Sequence, residues 1–212
     1  MTPKIHQIKI HFNVTPEIKR YVYVYLIEGK SCWLIDSGVD GTEKLLTDYM
    51  RSIGRRIEEI RGIFLTHAHP DHIGSAAKIK ELTGCKVYAS AGERAWIENV
   101  ELQFAERPIP NFHALVNRSV PVDVTVKEGD RISLEEGLTI RVLQTPGHSV
   151  DECSYLLEAM ALIHTVGQSV DACKADADGI DDLVLRVCSK MGTPHFIKNP
   201  LFQRTVQSFL SD

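Results

Sequence analysis

The sequence predicts an α+β fold of two stacked sheets flanked by helices, and three observations lead there. Strand-like segments crowd the stretch from Ile5 to Ile35 and recur between Val122 and His164. The part between them alternates strand and helix patterns. Gly-containing acidic turns such as Glu128-Gly129-Asp130 and Glu135-Glu136-Gly137 punctuate the later strands.

Each element has a local reason. Ile5 to Phe12 alternates apolar and polar residues, and Tyr21 to Ile27 is rich in aromatic and β-branched side chains, so both read as strands. Glu28-Gly29-Lys30 turns the chain into a third strand, Ser31 to Ile35, which closes on Asp36-Ser37-Gly38; this first sheet reads as a meander. A helix starting at Gly41-Thr42 carries Leu45, Leu46, Tyr49, Met50 and Ile53 at helical spacing and stops at Gly54. Ile60 to Leu65 is a buried strand. Ala76, Ala77, Ile79 and Leu82 mark a helix ending near Gly84, Lys86 to Ala89 a short strand, and Ala91 to about Val100 another helix.

Glu101 to Pro121, with Pro108, Pro110 and Pro121, reads as a long irregular segment, the kind of loop on which substrate contacts are expected. Strands follow at Val122 to Val126, Arg131 to Leu134 and Thr139 to Leu143, then a pair at Cys153 to Leu157 and Ala161 to His164. Helices are expected at Ile180 to Val187 and Phe202 to Leu210.

Composition narrows the class without naming a function. With 43% apolar and 25% charged residues in 212, the chain has enough apolar material for one large domain. A net charge of −4 and the lack of a Lys/Arg stripe weigh against nucleic acid as a partner. The N-terminus lacks the apolar core of a secretory signal and no stretch is long and apolar enough to span a bilayer, so a cytoplasmic protein without membrane partners is expected. The cysteines at 32, 85, 153, 173 and 188 are scattered with no Cys-x-x-Cys pair, which signals neither a disulfide framework nor a zinc ribbon.

The chemistry lies in Thr66-His67-Ala68-His69-Pro70-Asp71-His72, directly after the strand that ends at Leu65. Imidazoles and a carboxylate at this density are costly to bury without partners, so a metal site is a better reading than packing. His67 and His69 are two residues apart and on an extended strand end point to one side. His148, in the tight turn Thr145-Pro146-Gly147-His148-Ser149, supplies a third donor, and three neutral imidazoles with an open position suit a catalytic zinc. Asp71 and His72 could bind a second cation or hold the attacking water, with Asp71 as ligand and general base. Asp36 is a candidate acceptor for an imidazole N–H. Isolated His6, His11, His113 and His164 read as surface or hydrogen-bonded residues.

The pattern resembles the metallo-beta-lactamase superfamily, whose His-x-His-x-Asp-His hallmark is matched from His67 to His72. Leu34-Ile35-Asp36-Ser37-Gly38 and Thr145 to Ser149 look like further family signatures, in the expected order over roughly residues 5 to 158. The resemblance implies a four-layer αββα sandwich of two mixed sheets with metals at one edge. It also implies that His67, His69 and His148 hold the first cation and that Asp71 and His72 hold the second. Zinc, as one or two ions, is the expected cofactor, with iron or manganese compatible with the same donors.

The tail departs from that pattern from about residue 159, although a single domain over 1–212 is still expected. Gln168 stands where the family places a bridging aspartate, and Lys190-Met191-Gly192 where a His-Gly pair belongs. Asp171 and His195 are the candidate substitutes; otherwise the second cation binds weakly, or the tail is altered relative to its relatives. The functional expectation is a metal-dependent hydrolase whose metal-bound hydroxide cleaves an ester, thioester, lactone or amide bond of a small molecule. A non-catalytic metal-binding or partner-binding protein is the alternative, and a phosphodiesterase or nuclease ranks below both.

Overall fold

The computed structural model describes residues 3–159 and 162–164 of the chain. Its first sheet has the order β1(Lys4–Asn13), β2(Lys19–Glu28), β3(Cys32–Ile35), β4(Ile60–Phe64), β5(Lys86–Ser90), β6(Val124–Val126). Only its first half is a meander. β1, β2 and β3 pair antiparallel, whereas β3 to β6 pair parallel, so the sheet is mixed. The reason is the helical crossover: α1(Thr42–Ser52) connects β3 to β4, and α3(Ala76–Thr83) connects β4 to β5, as parallel neighbours require. The second sheet, β7(Arg131–Glu135), β8(Leu138–Gln144), β9(Cys153–Ala159) and β10(Leu162–His164), is antiparallel throughout.

Alternation along the strands builds two cores. Val22, Val24 and Leu26 of β2, with Cys32 and Leu34 of β3, face the helices together with Leu46, Met50, Ala76 and Ile79. The intervening residues Tyr25, Ile27, Trp33 and Ile35 face the second sheet, where Leu138, Ile140, Val142, Tyr155 and Leu157 meet them. Phe64 of β4 stacks on Tyr88 at 4.3 Å and meets Tyr155 edge-on at 5.4 Å, which locks the sheets together beside the strand end that carries the histidines. The buried Tyr155 hydroxyl donates to the Leu65 carbonyl at 2.7 Å across the same seam.

The structure thus arranges helix, sheet and sheet in successive layers among the described residues. The helices expected at 180–187 and 202–210 lie outside them, as do Gln168, Asp171, Met191 and His195. Several expectations are corrected. The strand expected from Val122 begins at Val124 and belongs to the first sheet, not with the later strands. The helix expected from Ala91 to about Val100 is shorter, α4(Arg94–Glu98), and a second, α5(Val100–Glu106), starts where it was expected to end, because Asn99 leaves helical geometry and its side chain caps the next helix by accepting from the Leu102 N–H. The segment from Glu101 to Pro121 is therefore not wholly irregular: it holds most of α5 and a short α6(Phe112–Leu115). Leu45 and Leu82 share the helical spacing of their neighbours but are exposed.

Cys32, Cys85 and Cys153 are buried free thiols. Burial pushes the Cys153 thiol up to about 12, which makes it a packing residue. No helix among the described residues is long and apolar enough to cross a membrane.

Candidate metal centre

The histidine run begins where β4 stops. Backbone pairing continues one step further, with the Leu65 N–H donating to the Tyr88 carbonyl at 2.9 Å and the Cys153 N–H to the Thr66 carbonyl at 2.9 Å. Both sheets therefore grip the residues just before His67. Pro70 then starts α2(Pro70–Ile73), a one-turn helix in which proline at the first position costs no hydrogen bond.

Asp36 organises the inner side. It sits at φ 60, a conformation that a short polar side chain tolerates, and is fully buried. Its carboxylate accepts from the Thr66 N–H at 2.8 Å, from the Thr66 hydroxyl at 2.9 Å and from His72 Nδ1–H at 2.7 Å. The expected link from Asp36 to an imidazole is therefore present, on His72. Ser37 completes the clamp, its N–H and hydroxyl both donating to the His72 carbonyl at 2.8 Å. Gly74 is required behind it, because a Cβ there would lie 2.2 Å from the Leu115 carbonyl oxygen and 2.5 Å from the Asp40 nitrogen.

These contacts decide which ring nitrogens face inward. The Thr66 hydroxyl has one proton, and the Asp36 carboxylate only accepts, so that proton goes to Asp36 and Thr66 Oγ1 accepts from His67 Nδ1–H at 2.9 Å. His67 then presents an unprotonated Nε2. His72 Nε2 is buried without a hydrogen-bond partner, and Asp71 Oδ2 lies 3.8 Å from it.

His148 reaches this group from the loop between β8 and β9. Its ring centroid is 5.0 Å from that of His67 and 4.6 Å from that of His69, and His67 and His72 are 4.2 Å apart. One nitrogen from each of His67, His69 and His148 lies within 4.8 Å of the others. The loop is held by Asp151, which accepts from the Gly92 N–H at 2.8 Å and the Gln144 amide at 2.6 Å. Thus the structure brings all five predicted residues, His67, His69, Asp71, His72 and His148, to one rim.

Electrostatics divides them. Burial, reinforced by the neighbouring His148 and by Arg107, pushes His69 down to about 3. Burial and the surrounding imidazoles likewise hold His67 far below the usual histidine range, and His148 is lowered by burial and His72. Three neutral imidazoles are what a cation needs, since ligands must be deprotonated. His72 goes the other way. Burial opposes its charge, but Asp36 and Asp71 outweigh that and raise it to about 9. The unpartnered Nε2, the converging nitrogens and the neutral donor set fit a divalent cation on His67, His69 and His148, with Asp71 and His72 beside it.

Sequence reasoning missed three further residues. Glu93 is buried just before α4, and its carboxylate accepts from the Ala68 N–H at 2.9 Å, from the Asp151 N–H at 3.0 Å and from the Ser149 hydroxyl. It therefore ties the peptide between His67 and His69 to the loop of His148. Gln103 of α5 donates to the Ala68 carbonyl at 2.6 Å. Arg107 Nη1 lies 2.7 Å from His69 Nε2. Gln103 lies in α5 and Arg107 caps its C-terminal end, and their four-residue spacing is a signal the sequence did carry. Glu93 carried none, because its role exists only once the two loops meet.

Comparison with known proteins agrees with this geometry. Residues 18–164 match the metallo-beta-lactamase superfamily model. A hydroxyacylglutathione hydrolase of Bradyrhizobium sp. strain BTAi1 is 34% identical over 97 residues, 46% of this chain and 29% of that protein. The probable metallo-hydrolase YqgX of Bacillus subtilis is 27% identical over 145 residues, 66% of this chain and 61% of its own length. Among solved structures, BJP-1, a subclass B3 metallo-beta-lactamase of Bradyrhizobium japonicum, superposes with a TM-score of 0.57 at 29% identity, covering 70% of this chain and 52% of that one. The chain thus spans less than a third of the length of the hydroxyacylglutathione hydrolase it matches. With the family model covering more than half the sequence, and the histidine run lying inside the matched region, the chain belongs to the metallo-beta-lactamase superfamily.

Proposed function

We propose that this protein is a metal-dependent hydrolase of small acyl substrates, with a thioester as the first bond to test. The observation that carries this reading is the convergence of the His67, His69 and His148 nitrogens within 4.8 Å, beside the buried, unpartnered His72 Nε2. The thioester preference is drawn from the relatives named hydroxyacylglutathione hydrolase. Net negative charge supports a small acyl substrate over nucleic acid.

A bound divalent cation supplies Lewis acidity, which activates water and polarises the substrate carbonyl. His67, His69 and His148 would hold it. Asp71, partly exposed and 3.8 Å from His72 Nε2, would take the proton of the attacking water. His72, fixed through Nδ1 by Asp36, offers Nε2 either to a second cation or to that water. Attack on the acyl carbon then breaks the carbon–sulfur bond, and the thiolate leaves with a proton from solvent or Asp71. Zinc is the metal to load first, because the imidazole set suits it.

The test is elemental analysis of the full chain loaded with zinc, paired with thioester, lactone, phosphodiester and beta-lactam substrates. Zinc retention with thioester turnover is expected. Stoichiometric zinc with no turnover of any acyl substrate refutes the hydrolase reading and leaves a metal-binding protein.

A further inference from the structure

Arg107 is an exposed cation at the mouth of the histidine cluster, and among the described residues no carboxylate pairs with it. It stands at the C-terminal end of α5, its N–H donating to the Gln103 carbonyl at 2.8 Å, while Gln103 itself is anchored on Ala68. The guanidinium is thus placed by a helix that is bolted to the peptide between two of the candidate ligands.

Its contact with His69 depends on which ring nitrogen carries the proton. A guanidinium only donates, so the 2.7 Å approach to His69 Nε2 requires a lone pair there. The ring proton then sits on Nδ1, from which it is donated to His67 Nε2 at 2.9 Å. A hydrogen-bonded chain results: Arg107 to His69, His69 to His67, His67 to Thr66, Thr66 to Asp36. A cation on His69 would take the ring's one lone pair, whichever nitrogen it used, so the contact with Arg107 could not persist. Loading the cluster would therefore release Arg107, a charged fork with no other partner among the described residues, at the mouth of the cluster.

We propose that Arg107 anchors a carboxylate of the substrate, so that the acyl compound bears an anionic group near the bond to be cleaved. The proposal rests on the hydrolase reading for the word substrate, but the anion site itself does not depend on turnover. A planar guanidinium binds a carboxylate through parallel hydrogen bonds, which fixes orientation as well as affinity. Arg107 also lies in the segment from Glu101 to Pro121, where substrate contacts are expected from sequence. No other described residue combines a fixed positive charge with direct contact to the histidine cluster.

The experiment is calorimetric titration of succinate, with neutral succinamide as control, into the zinc-loaded full chain and its Arg107→Gln and Arg107→Lys variants. Zinc content is measured in each. The expected result is that the wild type binds succinate in preference to succinamide and that Arg107→Gln weakens succinate at least ~10-fold, the scale of a lost charge-assisted pair. Arg107→Lys keeps the charge but not the fork and should fall between them, with zinc content equal in all three proteins. Equal succinate affinity in Arg107→Gln would mean that the metal alone holds the carboxylate and would overturn the proposal. So would loss of zinc from that variant, which would make Arg107 a positioning residue for His69, or failure of the wild type to discriminate. Because turnover is not read, absent thioesterase activity removes the proposed function and leaves the anchor standing, whereas equal binding by Arg107→Gln does the reverse.

Discussion

Replacing Glu93 with alanine should loosen the three-histidine cluster without touching any of its members. The carboxylate accepts from the Ala68 N–H through one oxygen and from the Asp151 N–H and Ser149 hydroxyl through the other. Ala68 is fully buried, so its orphaned N–H costs about 1–3 kcal/mol, and the two groups nearer the surface, which water can reach, lose about 0.5–1.5 kcal/mol each. The sum is about 2–6 kcal/mol of folding stability. The effect on metal is separate: residues that orient ligands typically contribute about 10–100-fold in affinity. Urea denaturation of the chelated protein reads the first quantity, and zinc competition with a chromophoric chelator reads the second. Glu93→Gln retains one carbonyl oxygen, keeps either the Ala68 bond or the loop bonds, and should lie between wild type and Glu93→Ala on both scales. Stability and zinc affinity within twofold of wild type in Glu93→Ala would refute the idea that this carboxylate sets the spacing of His148 from His67 and His69.

Two further variants probe the inner face. In chelated protein the His72 charge, held up to about 9 against an ordinary 6.5, contributes stability that is fully present below pH 6.5 and lost as pH rises through 9. Asp36→Asn should shrink that loss, because it removes the largest of the charges that raise His72, and identical stability slopes for the two proteins between pH 6.5 and 9 would contradict the assignment. Gly74→Ala should lower the melting temperature sharply, since its Cβ would meet backbone atoms of Leu115, Asp40 and Val39 that cannot swing away, at a cost of about 1–3 kcal/mol or more. A thermal scan superimposable on wild type would show that this corner yields more easily than its contacts imply.

Much of the site was legible because its ligands cluster along the chain. His67, His69, Asp71 and His72 need only a strand end and a one-turn helix to converge, and those follow from Ile60 to Leu65 and Pro70. His148 was legible through its turn, and Asp36 through its place at a strand exit. Glu93 was not, because a glutamate beside a helix start ordinarily faces water and only the closing of two loops buries it. The fold shows the same limit. Alternation in β2 and β3 marked both faces of the first sheet, and β1 to β3 form the expected meander, but pairing direction is not written in a strand, so it was not legible that the alternating middle extends that same sheet in parallel. β6 looked like its antiparallel successors for the same reason. The helices within Glu101 to Pro121 were hidden by prolines that fall in the loop after α5 and beyond α6.

The central claim is that His67, His69 and His148 share one cation. Anomalous diffraction at the zinc edge from crystals of the loaded full chain, read alongside crystals of His148→Ala, tests it most directly. The account predicts a peak bonded to nitrogens of all three histidines at about 2.0–2.1 Å, lost or strongly weakened in the variant. A peak located elsewhere, or one of undiminished height without His148, would contradict it.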